Sequence, residues 1–260
     1  MIKIFRKIHY GVIEKNASDP QTGNTGKYLK YAIGEVVLVV IGILIALNLN
    51  NWNASQKKSN QEIAILKSLQ DDLLLAKRQI ITKISHEQEI KSSLLFLLNF
   101  DTKNTELKRR TNLDSIFYIG LWNMSMDIPV ISTFSNLKNT GEISLINNKD
   151  LRKKFTSLEV SLGKLKERTT DRVSVHQIRI DNIAENDVNF VILANQSIPK
   201  LNIKDEIPND YCLILNNPRI RNLLTIKLSI TGGLIVDNTD LSAKINDLMT
   251  EIELELSMLK

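Results

Sequence analysis

The hydrophobic pattern of the chain is dominated by one stretch, Tyr31 to Trp52, in which polar positions almost disappear. Between Val36 and Leu47 every residue is apolar except Gly42. At roughly 1.5 Å per residue, a helix over these 22 positions would be about 33 Å long, which matches a hydrocarbon core of about 30 Å. A buried helix of a soluble domain usually keeps a polar face, so the pattern predicts a transmembrane helix.

Beyond Ser59 the pattern becomes amphipathic, with apolar residues recurring every three or four positions, which predicts long helices that each bury one stripe. The first stripe comprises Leu66, Leu69, Leu73, Ala76, Ile80, Ile84, Ile90, Leu94 and Leu97. The second comprises Leu151, Phe155, Leu158, Leu162, Leu165, Thr169, Val173, His176, Ile180 and Ile183. The third comprises Ile220, Leu224, Leu228, Ile235, Leu241, Ile245, Leu248, Ile252 and Leu256. Because the repeat is close to a heptad, we expect an all-α fold in which the transmembrane helix continues into an elongated antiparallel bundle with coiled-coil-like packing.

Two polar residues lie on or beside these stripes, His176 on the second and Asn238 on the third. A polar residue on a helix seam either fixes the register or serves a function, and the sequence leaves both alternatives open. The only other histidines are His9 and His86, so no pair of histidines has the spacing of a metal site.

Four of the few aromatic residues fall among shorter elements between the first two long helices: Phe117, Tyr118, Trp122 and Phe134. One interpretation is a hydrophobic plug where short helices pack on long ones. The other is a surface that contacts a partner or a ligand.

The charge distribution assigns a direction to the predicted span. The net charge is +5, but residues 1–30 hold 6 basic and 2 acidic side chains, so the rest of the chain is nearly neutral. The basic excess predicts a cytoplasmic N-terminus, and a near-neutral domain has no electrostatic footprint for nucleic acid. In a bacterium the predicted location is therefore the inner membrane, with the following domain in the periplasm.

The predicted organisation has three parts: a cytoplasmic basic amphipathic tail and linker (1–27), a transmembrane helix (28–53) and a periplasmic helical bundle domain (54–260). A cleaved signal peptide is the rival interpretation of the apolar stretch. Its cleavage site needs small residues, whereas the stretch ends in Asn50, Asn51 and Trp52, which favours an uncleaved anchor.

Glu35, Gly42 and Ala46 form a candidate association stripe within the span. Gly42 and Ala46 are a small-x-x-x-small pair, which allows close approach of helix backbones, and Glu35 is the ionisable residue of the apolar run. The simpler alternative is that Glu35 lies near the headgroups. A pseudopilin-like start is a third possibility, although Glu35 directly follows Gly34, whereas the pseudopilin acid lies several residues after the processed glycine.

The remaining chemistry of the sequence does not suggest an enzyme. Cys212 is the only cysteine, which excludes an intrachain disulfide and a cysteine metal cluster. The sequence contains no Gly-rich phosphate loop, nucleophile motif or metal-ligand spacing. We therefore expect no catalytic residues, no cofactor and no metal.

Two stretches resemble a family of uncharacterised single-span membrane proteins of Bacteroidota. The first runs from Lys30 through Glu35 and Val36 to Asn53, and the second from Leu137 to Ile143, followed by Ile146. The resemblance implies an inner-membrane protein with a helical exterior domain, and it transfers no catalytic residues.

These observations favour a membrane-anchored scaffold or partner-binding protein, which would act through a protein partner or as a homo-oligomer. The alternative is a periplasmic small-molecule sensor, which would need a partner to carry its signal across the membrane because its own cytoplasmic part is short.

Overall fold

The structure is a computed structural model that describes residues 25–101, 103, 112–195, 198, 200, 201 and 203–259. Side chains are described for these residues except 25–30, 176 and 177. The predicted amphipathic tail lies outside the described residues. The described residues form helices and connecting segments without a β-strand, which confirms the all-α class.

Two compact units divide the chain, Met1–Lys57 and Lys58–Lys260. The described part of the first unit is the beginning of helix α1, which runs as one helix over Thr25–Asn99. Its residues 31–52 are exposed, and the helix is long and apolar enough to cross a membrane.

The second unit contains the remainder of α1 and all later elements. The short helices are α2 (Leu113–Phe117), α3 (Ser132–Asn139), α5 (Asp181–Asn186), α6 (Phe190–Asn195) and α7 (Tyr211–Asn216). The long ones are α4 (Lys149–Val175) and α8 (Pro218–Met258). Two π-helical segments, π1 (Tyr118–Trp122) and π2 (His176–Ile180), extend α2 and α4, and a 3₁₀ turn covers Glu142–Leu145.

Hydrogen bonds show that α4 runs parallel to α1 and that the chain between them runs antiparallel. Glu62 accepts from Asn147, and Glu87 accepts from Arg172, each across 85 positions. The contacts of the chain between the two helices run the other way. Lys83 bonds the backbone of residue 127, which is 44 positions later in the sequence. Glu62, which is earlier on α1, bonds Asn147, which is 85 positions later. The segment 113–146 therefore returns along α1 before α4 begins.

The last long helix, α8, runs antiparallel to α4. Lys154 pairs with Glu251, and Arg168 pairs with Asp237, so the sequence separation shrinks from 97 to 69 as α4 advances. The second unit is thus an up-down-up-down bundle of four rods. The rods that contain α1, α4 and α8 are continuous within it. The second rod, formed by the segment 113–146, is broken over residues 123–131, which are not helical.

The buried positions of α1 and α8 follow the predicted repeat. On α1 they alternate in steps of four and three from Glu62 to Leu97, and on α8 from Ile220 to Ile252, apart from Ser93 and Leu223, which are buried beside a position of the repeat. This spacing is that of coiled-coil packing. It agrees with the expected bundle, but Leu162 and Ile235, which were expected on the buried stripes, are half-buried, and Ser161 and Leu234 are buried instead. A further difference lies in the middle of the domain and concerns its chemistry.

Two apolar clusters fill the bundle. The first cluster includes Leu66, Leu73, Leu158, Leu241 and Leu248. The second cluster includes Ile90, Leu94, Phe117, Leu215 and Leu224. Between the two clusters, every long helix turns charged or polar side chains inward.

Candidate functional site

A layer of buried polar side chains separates the two apolar clusters, and we call it the charged layer. It consists of Lys83 and Glu87 on α1, Arg172 on α4, and Lys227 and Thr231 on α8. Each is at most 5% exposed. Charged groups are almost never buried this completely unless they are paired, so the layer is the least ordinary part of the core.

The three basic side chains of the charged layer converge on the break in the second rod. Lys227 Nζ donates to the carbonyl oxygens of Leu121 and Asn123, the latter at 3.0 Å. Arg172 Nη2 donates to the same oxygen of Asn123 at 3.3 Å. Lys83 Nζ donates to the Asp127 carbonyl oxygen at 2.6 Å. All three continuous rods therefore hold the one broken rod.

The break explains why the interior is basic here. Carbonyl groups at the end of a helix have no intrahelical donor and form the negative end of the helix dipole. Leu121 and Asn123 lie at the end of π1, with the residues after it extended, so their carbonyls need donors inside the bundle. Buried lysine and arginine side chains supply those donors.

A single buried carboxylate balances this basic cluster. Glu87 Oε1 accepts from Arg172 Nη1 at 2.5 Å, with the side chains 0% and 2% exposed. Desolvation lowers the pKa of Lys227 well below its usual value, and the nearby Arg172 charge lowers it further. Desolvation also lowers the pKa of Lys83, despite the opposing effect of Glu87. Burial in the layer therefore disfavours the charged form of both lysines relative to a lysine in water.

Several buried polar atoms have no hydrogen-bond partner among the described residues. They are Arg172 Nε, Glu87 Oε2, Thr231 Oγ1, His86 Nε2 and Asn238 Oδ1. An unsatisfied buried donor or acceptor costs about 1–3 kcal/mol. The charged layer and its surroundings therefore stabilise the fold less than an apolar core of the same size would.

The two π-helical segments contact each other beside the charged layer. Each π turn adds a residue to the helical repeat, which shifts the register of the helix beyond it, and such turns are frequent at functional sites. Leu165, Thr169 and Arg172 are buried on α4, and Ile180 is buried in π2.

The residues of the charged layer were not predicted. The expected core positions were Ile84, Val173 and Leu228, but each is half-buried, and its preceding neighbour, Lys83, Arg172 or Lys227, is buried instead. An apolar residue beside a charged one is the natural choice for a core position. The strict repeat could have indicated that these residues are buried, because Lys83 and Glu87 continue the steps of four and three from Ala76 and Ile80.

The four candidate surface aromatics occupy different environments. Phe117 is 0% exposed in the second cluster, and Phe134 is 2% exposed in the first cluster. Tyr118 and Trp122 are half-buried, with ring centroids 6.3 and 4.5 Å from that of Phe190. Of the four, Tyr118 and Trp122 have the accessible area that contact with a partner would need.

The polar seam residues are placed as follows. Asn238 is fully buried, and its Nδ2 donates to the Leu234 carbonyl oxygen of the same helix at 2.7 Å. The side chain of His176 lies outside the described residues. Cys212 is half-buried in α7. No group of His, Cys, Asp and Glu within the described residues could hold a metal ion.

The candidate association residues lie in the first unit, on α1. Glu35, Gly42 and Ala46 are exposed there. A Cβ atom added at Gly42 would meet no atom within 4 Å, so the position is open to a neighbouring helix.

A model of a protein family of unknown function, DUF6090, matches residues 35–209, which is more than half of the chain. The chain belongs to DUF6090. No curated protein and no solved structure matches it. The expectation of an uncharacterised family is confirmed, whereas its bacterial phylum and its two signature stretches stay predictions.

The DUF6090 match contains most of the apolar segment and the first three rods of the bundle. It includes Lys83, Glu87 and Arg172 but ends before Lys227 and the rest of α8. Two of the three helices that supply the charged layer therefore lie within the family region.

Proposed function

We propose that this DUF6090 protein is anchored in the bacterial inner membrane by a single span and binds a protein partner through its periplasmic helical domain. The observation that carries the partner-binding role is an exposed apolar stripe on α1. Leu74, Ile81 and Leu95 are 42%, 53% and 40% exposed and are separated by seven and fourteen positions. This heptad spacing places them in one row beside the core-facing stripe.

A row with this period fits a helix better than it fits an extended peptide, because a helix packed lengthwise meets the same face every seven residues. Basic side chains flank the row at Lys77, Arg78 and Lys91, all one turn from a member of it. The expected partner is therefore an amphipathic helix with leucine-like residues on one face and acidic residues along its edge.

The membrane location is supported by composition and length. Residues 31–52 are mostly apolar and are exposed, and the excess of basic residues precedes them. Alkaline phosphatase fused after Lys260 should be active in a bacterial host, and the enzyme fused after Lys15 should be inactive. The reverse pattern would contradict the proposed orientation.

The partner surface is tested by photo-crosslinking the full chain in its native membrane. A benzophenone amino acid at position 81 should yield one discrete adduct, and the same probe at position 160 should not. Val160 is a matched control because it is 56% exposed but lies on α4. Leu74→Lys should abolish the adduct from position 81. Equal labelling from both positions, or an adduct that survives Leu74→Lys, would contradict the proposal.

Association within the membrane is tested separately. Gly42→Leu should weaken self-association or partner association in crosslinking of the full chain, because the larger side chain prevents close backbone approach. Ala46→Leu should add to this effect, and Glu35→Gln should weaken association if the carboxylate contributes. Unchanged association in all three variants would assign partner binding to the exterior domain alone.

A further inference from the structure

A surface groove lies in the second unit, where π2 and α5 pack against the beginning of α8. Its volume is about 370 Å³, within the usual range for small-molecule sites. Its floor is apolar, formed by Ile183 and Leu223, which are 2% and 5% exposed. Its walls are Ile178 and Ile226, which are 75% and 38% exposed. The groove therefore presents apolar surface that the bundle does not cover.

Ile178 and Arg179 are neighbouring residues of π2. Both side chains are exposed, that of Ile178 at 75%. In a regular α-helix an exposed apolar residue next to a charge would be unremarkable. Here both line the same groove, opposite residues of α8.

The polar lining of the groove is basic and amidic. It consists of Arg179, Arg219, Asn182 and Asn222, and no acidic residue lines the groove. Arg219 donates to Asn182 Oδ1 at 3.0 Å and pairs with Asp187 outside the lining. Arg179 forms no ion pair with the described residues. One guanidinium is thus oriented by neighbours, and the other is available.

We propose that this groove binds a small organic carboxylate with a compact apolar body. Guanidinium groups recognise carboxylates by paired hydrogen bonds, and the apolar floor would cover the rest of such a ligand. The asparagine amides can bond the carboxylate from the side. The exposed Arg219–Asp187 pair is a weak competitor, because exposed ion pairs contribute little. This binding site is separate from the stripe on α1 and does not depend on it.

The test uses the full chain in lipid nanodiscs with 4-fluorophenylacetate as the probe. Fluorine NMR line broadening, corrected with empty nanodiscs, should show saturable binding below about 10 mM. Arg179→Gln should weaken binding about tenfold, because a charge-assisted hydrogen bond is lost. Ile226→Glu should abolish it by placing a carboxylate in the groove.

Matched controls separate the groove from general adsorption. Val236→Glu places the same charge on α8 at a residue that is 66% exposed and outside the groove, and it should leave binding unchanged. The alcohol 2-(4-fluorophenyl)ethanol, which lacks the charge, should bind at least tenfold more weakly. Acetate, which lacks the apolar body, is followed by its displacement of the fluorinated probe and should also bind at least tenfold more weakly. Absence of saturable binding, unaltered binding in Ile226→Glu, or equal binding of the alcohol would overturn the proposal.

Discussion

The first apolar cluster and the charged layer lie next to each other on the same stripe of α1, with Leu73 and Ile80 in the cluster and Lys83 and Glu87 in the layer. The backbone geometry is the same in both regions, and both sets of side chains are buried. In the cluster each side chain stabilises the fold because its apolar surface is removed from water. In the layer each charged group loses hydration, and only its hydrogen bonds and ion pair offset that loss.

The difference follows from the second rod of the bundle, which is helical beside one region and broken beside the other. Beside the first cluster the second rod contains helix α3, whose backbone groups bond within the helix. Beside the charged layer the second rod is broken, and carbonyls of residues 121, 123 and 127 accept from side chains. A heptad stripe therefore determines which positions face inward, and the partner across the core determines the chemistry they require.

The largest expected effect is from Glu87→Gln. It removes the carboxylate that pairs with Arg172 and leaves a buried charge uncompensated, so the free energy of unfolding should fall by about 3–5 kcal/mol. The measurement is chemical denaturation of the full chain in detergent. Glu89→Gln, an exposed change on the same helix turn, should leave stability unchanged. A similarly small loss for Glu87→Gln would contradict the pairing.

Leu73→Ala measures the apolar side of the comparison. Leu73 is 0% exposed in the first cluster, and the loss of its buried methyl groups should lower the free energy of unfolding by about 2–4 kcal/mol. Leu75→Ala is the control, since Leu75 is 52% exposed. Equal effects of the two changes would show that residue 73 does not face the core.

The pH dependence of stability distinguishes the layer from the cluster. Because the folded-state pKa of Lys227 is lowered, the unfolded chain binds more protons between that folded-state pKa and the ordinary lysine value of 10.5. Stability should therefore rise with pH in this window, by up to about 1.4 kcal/mol per pH unit for each such group. Lys83 acts in the same direction.

Lys227→Met isolates that contribution. The charged groups that act on the amine, Arg172 on α4 and Glu87 on α1, remain in the variant. The stability of the wild type minus that of the variant should increase between pH 7 and pH 10, as followed by denaturation midpoints. A constant or decreasing difference would show that Lys227 is not desolvated.

The smallest expected effect is from Asn238→Leu, a polar residue near the first cluster. Its amide bonds only the Leu234 carbonyl of its own helix, and its Oδ1 has no partner among the described residues. Replacement with an apolar group of similar size should change the free energy of unfolding by less than about 1 kcal/mol, in the stabilising direction. A large loss would assign Asn238 a role in register or binding.

The sequence predicted the helices, the repeat and the apolar segment because those features depend on local periodicity. It did not predict that the break in the second rod requires buried basic side chains, because the side chains that donate to its carbonyls lie up to 106 positions away in the sequence. It also placed Val173 in the core instead of Arg172, because an apolar residue was preferred to the strict repeat, in which Arg172 follows Thr169 by three positions. Phe117 and Phe134, grouped by their proximity in sequence, lie in separate clusters.

The coupling energy between Glu87 and Arg172 tests most directly whether the charged layer exists as described. It is obtained from a double-mutant cycle with Glu87→Gln, Arg172→Met and the double variant, by denaturation of the full chain. Because both groups are buried and joined by a hydrogen bond of 2.5 Å, a coupling of about 1.5–3 kcal/mol is expected, with the double variant more stable than the sum of the single losses implies. Strictly additive effects, with a coupling below about 0.5 kcal/mol, would show that the two side chains do not meet inside the bundle.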